Sequence, residues 1–290
     1  MLGIIGGSRA YDLMARGDFR GEALGPADTP YGKSQTLYRL TLAGQDVLFL
    51  SRHGEKDYSV AAPFVNYRAN IYALKESGVR RIVAWSGPGA INPRLRVGQY
   101  VLPDDIIDQT RRRPSTFFEG AGWGFIRQSP VFCPTLASGL SGALGDLGLE
   151  FEPQATYVCT EGPRLETPAE IKMFAAWGGD LVGMTLCPEA FLARELEMCY
   201  AAICYVTNYA EGVKDRPSRP DKLFGGMATD DELRAQELAV NRLPEILEKL
   251  CSRYGALSVQ CNCESSMLRP RKNGRVGDDW HTWITHDTQG

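Results

Sequence analysis

The apolar residues of this chain are gathered into short runs, separated by polar and turn-forming stretches. Several runs contain no polar position, which is the pattern of strands buried on both faces of a sheet. The predicted strands cover residues 2–5, 47–50, 82–85, 100–102, 155–159 and 201–206. Such strands predict a sheet that is shielded from water on both sides.

Helical segments alternate with these strands. In residues 66–77, Tyr67, Ile71 and Leu74 recur at helical spacing and fall on one face, and Gly78 predicts the end of the helix. Strands that alternate with helices are typical of an α/β fold. We therefore predict the α/β class, with a central mixed β-sheet flanked by helices.

Two capping boxes predict where further helices begin. Thr167 with Glu170, and Thr229 with Glu232, have the spacing at which each side chain bonds the backbone N–H of the other. The second box opens a stretch of helical periodicity towards residue 254, and Pro244 predicts a kink or a break within it.

The periodic pattern ends near residue 254, and no long linker rich in Gly, Ser or Pro divides the chain before residue 250. We predict one domain over residues 1–254. Residues 255–290 are predicted to form a polar, turn-rich C-terminal extension.

Composition and charge exclude several classes of protein. The chain is 43% hydrophobic and 23% charged, which is typical of a folded globular protein. Its net charge of −3 argues against nucleic acid as the main partner, and the run 111–113 of arginines is interpreted as a solvated loop. No apolar run approaches the roughly 20 residues that span a bilayer, and the first residues lack the basic start of a signal peptide. We expect no membrane association and a cytoplasmic location.

Three predicted strands end in junctions that combine glycine, hydroxyl and basic residues. Ser8 follows a glycine pair, Arg52 and His53 follow the strand 47–50, and Ser86 and Gly87 follow the strand 82–85. Each junction alone is compatible with a tight turn. A lone histidine is likewise compatible with a side chain that is simply packed in the core. Glycine permits close approach of the backbone to an anion, and arginine matches phosphate geometry. Because ligands bind beyond the carboxyl ends of strands in α/β sheets, the three junctions together predict an anion site.

Two further polar residues are candidates for binding a heterocycle. Glu166 lies in a loop before a predicted helix and is able to accept an N–H hydrogen bond; capping that helix is the alternative. Asn208 follows the strand 201–206, and its amide both donates and accepts; starting a turn is the alternative.

In this order, these segments resemble the trimeric purine nucleoside phosphorylases, most of all the branch with methylthioadenosine and methylthioinosine phosphorylases. The resemblance covers roughly residues 2–250. It rests on residues 3–8, 29–33, 52–54, 65–70, 161–164, 182–185 and 188–190. It implies a single-domain nucleoside phosphorylase fold and a homotrimer or dimer of trimers. It also implies phosphorolysis of a purine nucleoside, with inorganic phosphate as co-substrate and neither organic cofactor nor metal.

The resemblance also implies a role for individual residues, with Asn208, His53 and Arg52 as the catalytic group. The implied phosphate-binding residues are Ser8, Arg52, His53, Ser86, Gly87 and Thr185. The implied ribose-binding residue is Met184, and the implied base-binding residues are Leu165, Glu166 and Asn208.

The base-binding positions favour 6-oxopurines. Relatives that take 6-aminopurines usually carry aspartate at two positions where this chain has Asn208 and Ala210. An asparagine amide is able to donate to N7 or O6, and Glu166 is able to accept from the N1–H that only 6-oxopurines carry. Hypoxanthine or guanine is therefore favoured over adenine.

The 5′ group of the sugar is predicted from the lack of a histidine. Relatives for ordinary nucleosides typically hold the 5′-hydroxyl with a histidine, but residues 209–250 contain none. Phe224, Met227 and Ala228 offer apolar surface there, and His281 or His286 would have to fold back to replace the histidine. The predicted substrate is 5′-methylthioinosine, with inosine or guanosine as weaker candidates and 5′-methylthioadenosine as the alternative.

Two departures from the family pattern fall in the implied phosphate site. They are the sequence Ser-Arg-Ala at residues 8–10 and Trp-Ser-Gly-Pro at residues 85–88. They leave open a third hypothesis, a non-catalytic protein that binds purine nucleosides.

The chain's eight cysteines do not form a dense disulfide framework, and most lie in apolar or mixed surroundings typical of small buried residues. Cys261 and Cys263 resemble Cys-x-Cys pairs of thermophilic relatives, in which a disulfide is possible. With Cys251, His281 and His286 they would supply enough ligands for zinc, but the spacing fits no standard zinc motif. We expect free thiols and no metal.

Overall fold

The structure is a computed structural model that describes residues 1–56, 58–215 and 228–284. Its elements alternate between strand and helix for much of the chain, as an α/β fold requires. The strands are β1 (Leu2–Gly6), β2 (Gly21–Thr29), β3 (Gly32–Leu42), β4 (Gln45–Ser51), β5 (Arg81–Ser86), β6 (Gly89–Ala90), β7 (Tyr100–Val101), β8 (Asp105–Gln109), β9 (Phe151–Glu152), β10 (Thr156–Thr160), β11 (Leu181–Gly183), β12 (Cys199–Tyr205) and β13 (Asn208–Tyr209). The α-helices are α1 (Ala10–Ala15), α2 (Tyr67–Glu76), α3 (Pro134–Asp146), α4 (Pro168–Ala176), α5 (Leu186–Glu195), α6 (Asp230–Asn241), α7 (Leu243–Arg253) and α8 (Leu268–Lys272).

The strands form two mixed sheets. The larger sheet has the order β2-β3-β4-β1-β5-β12-β7-β9, and its centre, from β4 to β12, is parallel. The smaller sheet has the order β13-β6-β11-β10-β8. The predicted central mixed sheet is thus confirmed. The separation into two sheets was not predicted, because β6, β11 and β13 have only two or three residues, too few to show a period.

Helices cover both faces of the larger sheet. Ile4 and Ile5 are neighbours in β1 and are fully buried, yet their side chains enter different parts of the core because successive strand residues point to opposite faces. Ile5 shares its cluster with apolar residues of α2 and α5, whereas Ile4 shares its cluster with those of α3 and α7. The continuous apolar pattern of β1 therefore reflects burial from two sides.

The predicted helix boundaries are confirmed. Thr167 with Glu170, and Thr229 with Glu232, form complete capping boxes at the starts of α4 and α6. The last helical stretch is split into α6 and α7 at Arg242, and Pro244 lies in the first turn of α7. Proline is tolerated there because the N–H that it lacks would have no partner within the helix.

The described part of the C-terminal extension packs on the domain. Met267 and Trp283 are buried, and the Trp123 indole donates to the Trp283 carbonyl oxygen at 3.2 Å. Arg271 forms a bidentate pair with Glu197, with both nitrogen–oxygen distances at 2.8 Å. The extension therefore shares the core of the preceding residues. None of the helices in the described part of the chain combines the length and apolar character that crossing a bilayer requires.

Candidate active site

A cleft lies where the carboxyl ends of β1, β5, β10, β11 and β12 come together. It encloses about 640 Å³, part of which is open to solvent. Its walls are formed by Ser8, Tyr58, Ser86, Gly87, Gly89, Leu165, Glu166, Val182, Gly183, Met184, Thr185, Thr207, Asn208, Ala210 and Glu211. The structure thus brings most of the predicted site residues, far apart in sequence, into one cavity. This is the position at which α/β sheets bind ligands.

Hydroxyl groups are concentrated in one part of the cleft. Ser86 Oγ lies 3.1 Å from both Thr185 Oγ1 and the Tyr157 hydroxyl, and all three side chains are buried. Ser8 lies on the same cleft. Gly87 is required there, because a Cβ at this position would lie 2.7 Å from the Thr207 methyl carbon. Hydroxyls and a close-lying backbone are suitable donors to an anion.

Arg52 is fully buried and is not one of the described residues that line the cleft. Its Nε and Nη2 atoms donate to the two carboxylate oxygens of Glu189 at 2.5 and 2.7 Å, and Nη1 donates to the Trp85 carbonyl at 3.3 Å. A Cβ on Gly7 would lie 3.1 Å from Nη1, so this nitrogen is packed beneath the glycine pair next to Ser8. Contact between Arg52 and phosphate stays a prediction.

His53 is also buried behind the cleft wall. Its Nδ1 lies 2.8 Å from the Val60 carbonyl, which only accepts, so Nδ1 carries the proton. Its Nε2 therefore accepts from the Tyr58 hydroxyl at 3.0 Å. Burial, together with the neighbouring Arg52 charge, lowers the pKa of His53 to about 3, so the imidazole is neutral near pH 7.

Tyr58 connects His53 to the cleft and is not among the site residues predicted from the sequence. Its ring stacks on His53 with centroids 4.0 Å apart, and it lines the cleft together with Ser8. The available signal was weak: Tyr58 is the single aromatic residue in the polar loop that follows the predicted site histidine. Burial raises the pKa of its phenol, which therefore stays protonated.

Glu166 and Leu165 line the cleft and take no part in the cap of α4. Thr167 and Glu170 cap α4, whereas Glu166 lines the cleft and accepts from Thr160 Oγ1 at 2.5 Å. Glu170 is held in turn by Arg164, with distances of 2.8 and 2.6 Å. The capping and cleft roles are thus divided between two glutamates four residues apart.

Asn208 lies in β13, paired with Gly89 of β6, and lines the cleft. Its Oδ1 accepts from Thr207 Oγ1 at 2.7 Å, and its Nδ2 donates to the Tyr209 carbonyl at 2.8 Å. Because a carbonyl only accepts, the nitrogen must face Tyr209, which defines the orientation of the amide. An amide nitrogen carries two N–H bonds, so one is left for a ligand in the cleft.

Met184 lines the cleft beside Gly162, which has a left-handed φ of 68°. A Cβ on Gly162 would lie 2.5 Å from the Met184 sulfur, so glycine is needed both for the turn and for the methionine. The Met184 carbonyl accepts from Arg113 Nη1 at 2.5 Å.

The prediction that the arginine run 111–113 is a solvated loop is wrong for Arg113. Arg113 is 7% exposed, and its Nη2 donates to the carbonyls of Thr160 and Glu161 at 3.1 and 2.6 Å. Its Nη1 also donates to the Cys187 carbonyl at 2.8 Å. Arg113 therefore joins the loop after β10 to the segment after β11, which form two walls of the cleft. A sequence does not indicate which of three adjacent arginines points inward.

The predicted 5′ region is described only in part. Ala228 is buried, whereas Phe224, Met227 and His286 lie outside the described residues. His281 is bonded to Glu76 and Asp279 on the surface, both at 2.7 Å, so it does not fold back into the cleft. Glu211, which the sequence analysis did not identify, lines the cleft next to Ala210.

Residues 2–251 match the family described as Phosphorylase superfamily. A 6-oxopurine nucleoside phosphorylase of Pyrococcus furiosus is 46% identical over 222 residues, which are 74% of this chain and 82% of that protein. A probable S-methyl-5′-thioinosine phosphorylase of Methanothermobacter thermautotrophicus is 45% identical over 224 residues, 77% of each chain. A solved double mutant of the adenosine/methylthioadenosine phosphorylase of Schistosoma mansoni, in complex with adenine, has a TM-score of 0.80 and 26% identity, with 93% of this chain and 98% of that chain covered. The resemblance seen in the sequence is thus confirmed, and this chain belongs to the phosphorylase superfamily.

Proposed function

We propose that this chain cleaves purine nucleosides with inorganic phosphate, and that it prefers 6-oxopurines, with 5′-methylthioinosine as its best substrate. The products are the free base and 5-methylthioribose 1-phosphate. One observation carries the proposal: a single cleft holds a group of hydroxyls, from Ser86 and Thr185, together with the polar side chains Glu166 and Asn208. Inorganic phosphate is the co-substrate, and the reaction needs no organic cofactor.

The hydroxyl side of the cleft suits phosphate. Ser8, Ser86 and Thr185 supply donors, and the Gly87 backbone lies close enough for its N–H to contribute. The Nη1 of Arg52 lies beneath the turn that carries Ser8, and the charge of this guanidinium is balanced by Glu189. A phosphate held by such donors is oriented for attack, which removes much of the entropic barrier of a bimolecular reaction.

The other side of the cleft suits a 6-oxopurine. Glu166 and Asn208 line the cleft, and in this proposal Glu166 has the role of accepting the N1–H of the base and Asn208 that of donating to N7 or O6. Ala210 offers no carboxylate to a 6-amino group. A base with the wrong pattern would leave a buried polar group unpaired, at about 1–3 kcal/mol for each group.

The chemistry follows from this arrangement. The C1′–N9 bond lengthens and its electron pair moves into the purine, which leaves an oxocarbenium-like sugar. Asn208 stabilises the negative charge that grows at N7 and O6, as donors do in an oxyanion hole. A phosphate oxygen then forms the bond to C1′ from the opposite face, and the purine takes up a proton as it leaves. Met184 and Leu165 supply apolar surface beside the sugar and the base.

The second candidate substrate is 5′-methylthioadenosine. The similarity to an adenosine/methylthioadenosine phosphorylase that binds adenine favours it. Phosphorylases for the two substrates would use the same fold and the same phosphate site. They would differ only in how they recognise the 6-position of the base, so the choice of base is the deciding measurement.

We also propose that the chain assembles as a homotrimer or a dimer of trimers and acts in the cytoplasm. Phe64 is 72% exposed at the end of the short turn Ala62–Phe64, which makes it an apolar side chain available for a subunit contact. Light scattering coupled to size exclusion measures the assembly directly. A monomer over a wide concentration range would contradict it.

Phosphate-dependent base release from 5′-methylthioinosine, 5′-methylthioadenosine, inosine and adenosine, measured side by side, tests the proposed function. We expect the fastest release with 5′-methylthioinosine, followed by inosine. A preference for 5′-methylthioadenosine would reject the role of Asn208 and Glu166 but keep the phosphate site. An absence of turnover, with nucleoside binding retained, would favour the non-catalytic hypothesis.

A further inference from the structure

Four cysteine thiols that are far apart in sequence meet at one place beside the larger sheet. Cys133 precedes α3, Cys199 begins β12, and Cys261 and Cys263 belong to the C-terminal extension. Their sulfur atoms all lie within 4.8 Å of one another, and the Cys199 and Cys261 sulfurs are 3.6 Å apart. The cluster lies outside the cleft described above.

The dimensions of this cluster are those of a metal cage. Zinc binds thiolate sulfur at about 2.3 Å in tetrahedral geometry, which places the four sulfurs about 3.8 Å apart. The distance of 3.6 Å and the upper limit of 4.8 Å bracket that value. A set of four cysteines is typical of structural zinc sites, and soft thiolate ligands select zinc or iron over calcium and magnesium.

The surroundings offset part of the negative charge that four thiolates would bring. Arg194 is 5% exposed, and its Nη1 donates to the Cys263 sulfur at 3.2 Å. Its Nη2 donates to Asn262 Oδ1 at 3.2 Å, which holds the guanidinium against the Cys-x-Cys turn. Donors of this kind orient metal ligands and are a regular part of such sites.

The four clustered thiols are not the set of zinc ligands that the sequence suggested. Cys251 is buried within α7, and His281 is bonded to acidic residues on the surface; neither belongs to the group of four thiols. The spacing of the four ligands along the chain matches no linear zinc motif, so only the folded chain brings them together. Cys261 alone of the four is partly exposed, which offers a path of entry for an ion.

We propose that Cys133, Cys199, Cys261 and Cys263 bind one zinc ion as a structural site that fastens the C-terminal extension to the domain. On binding, each thiol gives up its proton and forms a sulfur–zinc bond, with no change of oxidation state. Two ligands come from the domain and two from the extension, so the ion joins the segment that carries the buried Met267 and Trp283 to α3 and β12.

The test begins with the full chain, purified under reducing conditions without a polyhistidine tag. Elemental analysis should find about one zinc per chain, and a mercurial reagent should release it to a colorimetric zinc indicator. After replacement by cobalt, the protein should show sulfur-to-cobalt charge transfer and the intense visible bands of a tetrahedral tetrathiolate site. A chain that takes up neither metal, or that contains iron instead of zinc, would overturn the proposal.

Variants separate this site from nonspecific thiol binding. Cys261→Ser should lose the zinc and the cobalt bands, and it should fold because this position is partly exposed. The matched control is Cys251→Ser, which removes a buried thiol outside the cluster and should retain both. Chelation should lower the thermal midpoint of the wild type and of Cys251→Ser, but not that of Cys261→Ser.

Two further outcomes would reject the proposal. One is an intact mass, measured without reductant, that is lighter by two hydrogens for each pair of cluster cysteines, which would indicate disulfides. The other is equal loss of metal in Cys251→Ser and Cys261→Ser. If Cys261→Ser does not fold, the cobalt spectrum of the wild-type chain still decides.

Discussion

The Tyr58 hydroxyl donates to His53 Nε2 at 3.0 Å, and the two rings stack with centroids 4.0 Å apart. His53 donates through Nδ1 to the Val60 carbonyl, so both ring nitrogens are engaged within the loop. Tyr58 lines the cleft, as does Ser8. His53 is therefore a neutral group that is hydrogen-bonded to Tyr58 at the cleft wall.

Replacement of Tyr58 by phenylalanine should weaken phosphate binding. Tyr58→Phe keeps the stacked ring but removes the hydroxyl that Tyr58 brings to the cleft wall near Ser8, so we expect the KM for phosphate to rise about tenfold, as for the loss of one hydrogen bond. Initial rates at varied phosphate concentration measure it. Tyr254→Phe, at a tyrosine packed on Arg81 away from the cleft, is the control. An unchanged KM for phosphate would remove Tyr58 from the site.

Replacement of Asn208 by alanine should impair the chemical step on 6-oxopurines. Loss of the donor to N7 and O6 should reduce kcat about a hundredfold, equivalent to about 3 kcal/mol of transition-state stabilisation. Single-turnover measurements with 5′-methylthioinosine separate this effect from product release. Asn208→Asp should shift the preference towards 5′-methylthioadenosine. Full turnover by Asn208→Ala would show that the assignment is wrong.

The two glutamates around α4 should respond differently to the same change. Glu166→Gln replaces the charged acceptor for N1–H by a neutral amide that also carries a donor suited to the unprotonated N1 of adenine, so it should lower kcat/KM for inosine relative to adenosine by about tenfold to a hundredfold. Glu170→Gln alters only the helix cap and the contact with Arg164, so substrate preference should not change. Competition between the two nucleosides measures the ratio. Equal ratios in the two variants would contradict the role of Glu166.

The buried Arg52–Glu189 pair should contribute strongly to stability. Glu189→Ala leaves the fully buried guanidinium without its partner, which should cost about 3–5 kcal/mol. The exposed pair of Arg96 and Glu150 is the control, since Glu150→Ala should cost at most about 1 kcal/mol. Urea unfolding at fixed protein concentration measures both. Similar losses in the two variants would contradict the prediction.

The pH dependence of stability should report the burial of Glu195. Burial raises the pKa of Glu195 from its usual 4.5 to about 7, against the opposing hydrogen bonds from Thr116 and Phe117. Between these values the folded chain binds more protons than the unfolded chain, so the contribution of this group is present below pH 4.5 and is lost as pH rises through about 7.

Glu195→Gln is the variant that isolates this effect, because it keeps a side chain able to bond Thr116 and Phe117. The free energy of unfolding of the wild type, minus that of Glu195→Gln, should fall as pH rises from 4.5 to 7. Urea unfolding at several pH values gives this difference. A difference that is independent of pH, or that grows with pH, would show that Glu195 ionises normally.

Local features of the fold were predictable because neighbouring residues determine them. The capping boxes at Thr167 and Thr229 form by hydrogen bonds within four residues. Pro244 interrupts the helical stretch because it lacks a backbone N–H, which does not depend on what the helix packs against. The core strands are continuous apolar runs because helices cover both faces of the sheet. The ends of those strands identified four residues that line the cleft, Ser8, Ser86, Gly87 and Asn208, since ligands bind at that edge of an α/β sheet.

Contacts between distant segments were decided only by the tertiary structure. Arg113 turns inward, Glu189 engages Arg52, and four thiols meet between the domain and the extension. Each of these depends on how whole elements pack, which no short window of sequence contains. The sequence by itself determined the class of fold, the helix boundaries and the family. The tertiary structure decided which polar groups face the cleft and which are buried behind it, because burial, hydrogen bonds and ion pairs depend on how the whole chain packs.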